Sequence, residues 1–311
     1  MVTKRNNTVD FLKCICIFGV VLHHCSNRRL LPEVQGIFTY AADLTDWCVI
    51  GFIGLSGFLE ANRSVTDSNL KSSSIRDFNR LLMPFILLSF VYCGLFQVAD
   101  LCGFQLRSSV SSTFMGKFID TLLCREGGIA EQLYFLPLLL GIRIACRFAS
   151  RGLPFVFVAI TCYILFFVNE LQLTGFSQAT CLLGLQAYIL GLYTSNNAKR
   201  AVTIALIVGI SVGITVHNWQ VIVGLLLPTL CPILKVDVPF FNLIGSAAGT
   251  VFAYHTPILL QPLIIGISHI HGTLGQCIAL VITVIMLTIG IAFLRRRLLS
   301  YTSGLLRILL F

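Results

Sequence analysis

The sequence predicts an all-α integral membrane protein, a polytopic bundle of about ten transmembrane helices with cytoplasmic N- and C-termini. Of its 311 residues, 56% are hydrophobic and only 11% are charged, a composition typical of a chain whose solvent is lipid. Apolar stretches close to the roughly twenty residues that cross a bilayer recur along the whole chain. Because backbone groups in hydrocarbon must bond within their own segment, these stretches are predicted to be helices.

The first five predicted spans are apolar runs separated by polar or charged segments. The only charged residues of the first run are Asp10 and Lys13, and the run ends in two histidines. The second run is short and rich in glycine, and the third begins at the basic segment that contains Arg80. The five ranges are 8–26, 47–61, 79–102, 131–149 and 153–170.

The last five predicted spans follow the same pattern. A polar segment at 195–199 predicts a loop between the sixth and seventh spans. The eighth contains Pro228 and Pro232, and a segment at 113–124 could be re-entrant, so nine or eleven spans are alternatives. The five ranges are 177–194, 200–216, 217–234, 240–266 and 273–294.

The positive charges indicate the orientation of the chain in the membrane. With the N-terminus inside, most lysines and arginines of the short loops fall on the cytoplasmic side, as membrane insertion prefers. Orientation and anionic lipid thereby explain the formal charge of +9, and membrane lipids rather than nucleic acid are the expected partners. The inner-loop residues are Arg63, Lys71, Arg76, Arg80, Arg147, Arg151, Lys199, Arg200, Lys235, Arg295, Arg296 and Arg297.

Residues 1–311 are interpreted as a single membrane-embedded domain, because no internal repeat or low-complexity tract divides them. The first span lacks a small-residue cleavage signal and is expected to be retained. The tail 295–311 begins with a basic cluster and is predicted to lie as a helix on the inner leaflet. The twelve cysteines include no CxxC pair, so most are expected to be buried thiols and no metal site is predicted.

A basic residue and a histidine inside the first span indicate a functional site. A helix advances about 1.5 Å and about 100° per residue, so Lys13 and His24 share one face at a separation of roughly 16 Å. One long ligand could contact both. Asp10 falls on the same stripe, whereas His23 points about 100° away. Because an ionisable group within a span marks a site by default, we expect His24 to be functional, with helix capping as the alternative.

Two arginines lie at the start of the third span. Arg76 and Arg80 are four residues apart and are therefore predicted to share a helix face at the cytoplasmic entrance. Guanidinium groups suit phosphate, although positive-inside flanking explains Arg76 equally well. Glu60, near the inner end of the second span, is a candidate ion-pair partner for Lys13 or Arg80, because a buried charge needs compensation.

Three further residues are candidates for acceptor binding or support. For Ser56, in the motif Ser56-Gly57-Phe58, close helix packing is the first interpretation and contact with a substrate is the second. Glu131, before the fourth span, could bind a hydroxylic acceptor or only meet water. His255 lies inside the ninth span beside a proline that frees backbone groups, so a site role and a structural hydrogen bond are both open.

In chain order, the motifs VDFLKCICIFGVVLHH, IGLSGFL, NRLLMPF, EQLYFLPLLL and GTVFAYHTPILL resemble those of the acyltransferase 3 family. These are integral membrane enzymes that O-acylate bacterial polysaccharides, lipopolysaccharides and related glycans. The resemblance covers most of the chain, and the spacing from basic residue to histidine is its most specific element. It implies that His24 is the catalytic histidine, that Lys13 is the basic residue of the same motif, and that Arg80 belongs to the third-span arginine motif. The chain departs from the family pattern at Arg76 and at Tyr134.

The resemblance implies an acyl-CoA-dependent O-acyltransferase of the inner (plasma) membrane. Acyl-CoA, commonly acetyl-CoA, would be a co-substrate from the cytoplasm, with no bound cofactor, and the acceptor would be a hydroxyl of a cell-surface glycan or its lipid-linked precursor. Lys13, Arg76 and Arg80 would hold the nucleotide phosphates, while the pantetheine arm would reach along the first helix. His24 would then act as general base or as transient acyl carrier, and Asp10 would orient Lys13.

Two other function classes are compatible with parts of the sequence. A multi-pass transporter of a small solute or glycan-related substrate is the main alternative, because intramembrane His and Arg also mark solute pathways. The one-sided basic cluster and the lack of a visible inverted repeat favour the enzyme. A noncatalytic membrane scaffold would not need His24, so the activity of a His24 variant separates it from an enzyme.

Overall fold

The computed structural model of the chain is helical wherever it contains a regular element. It describes residues 6–25, 40, 43–64, 70–103, 113–124, 131–149, 178–216, 219–254 and 274–298. Within these ranges there are eleven α-helices, one π-helical turn and one 3-10 turn. The predicted all-α class is therefore confirmed for the described part of the chain.

Most helices begin within a few residues of the first residue of a predicted span. The π-helical turn Phe78–Leu82 joins the third helix to the fourth, and the 3-10 turn Glu131–Tyr134 leads into the sixth. The helices are α1 (Asn7–Cys25), α2 (Trp47–Ser64), α3 (Leu70–Asp77), α4 (Met83–Leu101), α5 (Phe114–Leu122), α6 (Phe135–Ala149), α7 (Gln178–Val216), α8 (Val221–Leu230), α9 (Pro239–Ser246), α10 (Ala248–Tyr254) and α11 (Leu274–Leu298).

The predicted first, second and tenth spans agree closely with α1, α2 and α11. By length and apolar composition, one continuous helical run among the described residues, Ser72–Leu101, is sufficient to cross a bilayer. Trp47–Ala61 and Val221–Leu230 are shorter apolar helices. The span predicted at 153–170 lies outside the described residues.

The loop predicted at 195–199 is wrong, because α7 continues through it without a break. The segment is polar but contains neither proline nor glycine, so nothing in it interrupts a helix. Just before it, Thr194 Oγ1 donates to the Leu190 carbonyl at 2.7 Å, so its hydroxyl is satisfied by the helix itself. Lys199 and Arg200, predicted for an inner loop, are exposed residues of α7.

Two predictions near the C-terminus also need correction. The described part of the ninth predicted span is not one helix but two short ones, α9 and α10, separated by a turn at Ala247. Arg295, Arg296 and Arg297 lie in the last turn of α11, so the basic cluster continues that helix instead of starting a separate tail. Residues 299–311 of the predicted tail lie outside the described ranges.

The described residues pack into two compact units. One lies within Met1–Val65 and Gln186–Thr302, and the other within Thr66–Leu185 and Ser303–Phe311. In the first unit α1 packs against α2, α9, α10 and α11. The second unit is built from α3, the π-helical turn, α4, α5 and α6.

Side-chain hydrogen bonds of Asn6 and Thr8 hold the start of α1. Asn6 caps the helix, because its Oδ1 accepts a hydrogen bond from the Val9 N–H at 3.2 Å. Thr8 Oγ1 donates to the Leu234 carbonyl at 3.1 Å and accepts from the Val236 N–H at 3.3 Å. The first turn of α1 is thereby attached to the segment that follows α8.

Glycines on α2 allow its backbone to touch neighbouring helices. A Cβ at Gly57 would lie 2.2 Å from the Tyr188 carbonyl oxygen of α7, and a Cβ at Gly191 would lie 2.1 Å from the Gly54 carbonyl oxygen. Small residues at a helix interface permit such close approach. The packing interpretation of the Ser-Gly-Phe motif is therefore confirmed for Gly57.

Candidate functional site

The site helix α1 packs antiparallel against α2. A Cβ on Gly19 would lie 2.2 Å from Cys48 Sγ, and a Cβ on Gly51 would lie 3.5 Å from Cys16 Sγ. Residue numbers thus fall along α1 as they rise along α2. The face of α1 that contains Cys16 and Gly19 therefore lies against α2.

Lys13 is half-buried and lies on an aromatic face. Its Nζ is 5.4 Å from the centroid of the Phe52 ring, within the range of a cation–π interaction. α1 is unbroken from Asn7 to Cys25, so His24 lies roughly 16 Å further along the same helix. The continuous helix that the predicted Lys13–His24 stripe requires is therefore present.

Both histidines of the motif lie in the last turn of α1 and are half-buried. The rings of His23 and His24 meet edge to face, with centroids 5.4 Å apart and an interplanar angle of 87°. His23 Nδ1 also lies 3.1 Å from Asp46 Oδ1, just before α2 begins. The two imidazoles and this carboxylate thus form one polar group at the end of α1.

Asp46 was missed by the sequence reasoning, although a signal for it was present. Consecutive helices that pack antiparallel bring the end of the first close to the start of the second. Asp46 immediately precedes α2, as His23 nearly ends α1. A carboxylate at that position was therefore a candidate partner for a histidine of the first span.

The other candidates of the first unit are buried. Asp10 and Glu60 are each 8% exposed and lie on α1 and α2 respectively. Ser56 is also buried, and its Oγ donates to the Phe52 carbonyl at 3.0 Å. Because the Ser56 proton is used within the helix, the packing interpretation is favoured over contact with a substrate.

Arg76 and Arg80 belong to the second unit and differ in surroundings. Arg76 is half-buried in the last turn of α3, and its Nη2 lies 3.4 Å from Ser73 Oγ. Arg80 is exposed within the π-helical turn. The expectation of one shared face assumed an unbroken α-helix, and the π-helical turn changes the rotation per residue between the two. Such turns frequently occur at functional sites.

Next to Arg76, a buried carboxylate joins two arginines of α6. Asp77 is 2% exposed, and its Oδ1 lies 2.9 Å from Arg143 Nη1 while its Oδ2 lies 2.6 Å from Arg147 Nη2. Sequence reasoning placed Arg147 in an inner loop and did not single out Asp77 or Arg143. An arginine inside an apolar span was the available signal, because such a charge needs a counter-ion.

The remaining candidates are only partly covered by the structure. Glu131 is the first residue of the 3-10 turn that leads into α6. His255 lies outside the described residues. Within the described ranges, no group of three or more His, Cys, Asp or Glu side chains is arranged to hold a metal ion.

Comparison with known proteins adds one finding. A family model described as an acyltransferase domain matches residues 6–305 of the chain. No curated protein and no solved structure gives a significant match. The matched range contains α1 to α11 and every predicted site residue.

Proposed function

Because this chain belongs to the acyltransferase 3 family, whose members are polytopic integral membrane proteins, we propose that it is a multi-pass O-acyltransferase of the plasma membrane. It transfers an acyl group, acetyl in the simplest case, from cytoplasmic acyl-CoA to a hydroxyl of a cell-surface glycan or its lipid-linked precursor. Its N- and C-termini face the cytoplasm.

The observation that supports this proposal best is the arrangement of Lys13 and His24 on one unbroken helix. A cation on the Phe52 ring and an imidazole roughly 16 Å further along are suited to the two ends of one long donor. The phosphates of acyl-CoA would meet Lys13, and its thioester would lie near His24. A shorter ligand would not use both residues.

In this proposal His24 carries the proton or the acyl group. As a general base it takes the proton of the acceptor hydroxyl while the oxygen attacks the thioester carbonyl carbon. The carbon–sulfur bond then breaks, and the CoA thiolate takes up the proton. As an acyl carrier, His24 attacks the thioester carbonyl carbon and the CoA thiolate leaves; the acceptor hydroxyl then displaces the imidazole, and its proton passes to the thiolate. Both routes give the acylated acceptor and free CoA thiol.

The other predicted residues have supporting roles. Arg76 and Arg80 are proposed to contact donor phosphates, for which guanidinium geometry is suited. Asp10 is proposed to orient Lys13. Glu60, Glu131 and His255 are proposed to bind the acceptor or to position other residues of the site. The hydrogen bond of Ser56 to its own helix favours a packing role for Ser56.

The decisive experiment uses the full chain in membrane vesicles supplied with acetyl-CoA labelled in the acetyl group. We expect labelled acetyl in the glycan fraction and release of free CoA thiol with the wild type, and neither with His24→Ala at equal expression. Mass spectrometry of surface glycans from a deletion strain identifies the acceptor. Movement of a solute without consumption of acetyl-CoA would instead establish a transporter, and wild-type turnover by His24→Ala would remove the catalytic assignment.

A further inference from the structure

His23, which points about 100° away from the Lys13–His24 stripe, lies against a carboxylate. His23 Nδ1 lies 3.1 Å from Asp46 Oδ1, and the His23 ring also meets the His24 ring edge to face. The three side chains therefore form a chain of contacts from Asp46 through His23 to His24. Nothing in the predicted mechanism uses the first two members.

A carboxylate at this distance selects the tautomer of a neutral imidazole. It accepts the Nδ1–H, so the neutral ring carries its lone pair on Nε2, and the ring is held in one orientation. The side chains of His23 and Asp46 are each 38% exposed, and a charge-assisted contact with that exposure contributes little to stability. The contact therefore bears on the orientation of the His23 ring more than on the stability of the fold.

We propose that Asp46 and His23 are positioning residues for His24. Asp46 fixes the tautomer and orientation of the His23 ring, and that ring fixes the His24 ring through their edge-to-face contact. Neither residue exchanges a proton with the substrate. The inference rests on the proposed reactive role of His24.

If Asp46 acts on His24 through His23, the kcat values of Asp46 and His23 variants should follow a specific order. Asp46→Ala should lower kcat about tenfold and leave the KM for acyl-CoA unchanged, because the reacting imidazole is displaced while the phosphate contacts stay. His23→Phe keeps a ring against His24 but cannot bond to Asp46, so its kcat should match that of Asp46→Ala. His23→Ala removes the ring contact as well and should be the slowest of the three.

A double variant tests whether Asp46 and His23 affect kcat through the same contacts or independently of each other. If Asp46 acts only through His23, adding Asp46→Ala to His23→Phe should cause no further loss of kcat. Asp43→Ala is the matched control, because Asp43 is an exposed carboxylate in the same short segment. It should have the kcat of the wild type. A product of the two single losses in the double variant, or an unchanged kcat in Asp46→Ala, would overturn the inference.

Two further measurements distinguish a loss of positioning from misfolding of the variant and from an incorrect catalytic role for His24. Asp46→Asn keeps an acceptor oxygen in place and should recover part of the kcat lost in Asp46→Ala. Nitrogen NMR of the full chain with 15N-labelled histidine should show His23 protonated at Nδ1 in the wild type and a loss of that preference in Asp46→Ala. An Nε2-protonated His23 in the wild type would overturn the inference. Wild-type turnover by His24→Ala, by contrast, would remove the reactive role of His24 and leave this NMR result standing.

Discussion

Gly245 of α9 lies so close to Asp10 of α1 that a Cβ on Gly245 would be only 1.7 Å from the Asp10 carbonyl oxygen. The two backbones are therefore in direct contact one turn before Lys13. Only glycine permits this approach, and the neighbouring atom is a carbonyl that cannot rotate away. The position of the first turns of α1, which contain Asp10 and Lys13, thus depends on a glycine of α9.

Gly245→Ala should destabilise the protein by about 1–3 kcal/mol, because the two helices must separate to admit the methyl group. Thermal unfolding of the purified chain in detergent measures the effect. Gly290→Ala on α11 is the matched control, since nothing lies within 4 Å of a Cβ placed there, and it should be neutral or slightly stabilising. Equal melting temperatures for both variants would contradict the close contact.

Arg80→Ala should raise the KM for acyl-CoA more than the KM for the acceptor, since Arg80 is proposed to contact donor phosphate. Arg80→Lys should recover only part of the loss, because the planar fork of the guanidinium is gone. S-acetylpantetheine, which lacks the nucleotide, should show little difference between the variants and the wild type. A raised KM for the acceptor alone would place Arg80 elsewhere in the mechanism.

Asp77→Asn should destabilise the second unit by about 3–5 kcal/mol, because it leaves two largely buried guanidinium groups without their carboxylate. Replacing Arg143 by Met in the same chain should restore part of the stability, since one uncompensated charge is removed. Denaturant or thermal unfolding measures both. Asp43→Asn, at an exposed position, is the control and should unfold like the wild type.

Ser72→Cys should be labelled by a membrane-impermeant thiol reagent only when the cytoplasmic face is exposed, in a background without reactive native cysteines. Ser72 is exposed at the start of α3, whereas the adjacent Ser73 is only 6% exposed. Ser73→Cys should therefore react slowly from either side and serves as the control. Labelling of Ser72→Cys in intact cells would reverse the proposed topology and the donor route with it.

The sequence predicted those parts of the fold that depend on local composition. The limits of α1 follow from an apolar run that Asn6 can cap, and those of α11 from an apolar run that ends in three arginines. Polarity alone was misleading at 195–199, because a polar segment without proline or glycine can remain helical. The site was predicted on α1 itself, by the spacing of Lys13 and His24.

Contacts between distant residues were beyond a reading of single segments. Pairing of His23 with Asp46 depends on the antiparallel packing of α1 on α2. The burial of Asp77 between two arginines depends on the approach of α6 to the end of α3. In both cases the sequence contained the charged groups but not the geometry that joins them. Counter-ion reasoning applied to every charge near a span would have proposed both.

The glycine contacts of α2 restrict the motions available during a catalytic cycle. Turning α2 by one residue would bring Ser56 or Phe58, in place of Gly57, against the Tyr188 carbonyl, where even a methyl group would not pack. The contact with α7 therefore opposes rotation of α2, the helix that carries Phe52 and directly follows Asp46. Gly19 of α1 is packed just as closely against Cys48 of α2, so the distance from the Phe52 ring to the two imidazoles is set by helix contacts that leave no room for a further side chain.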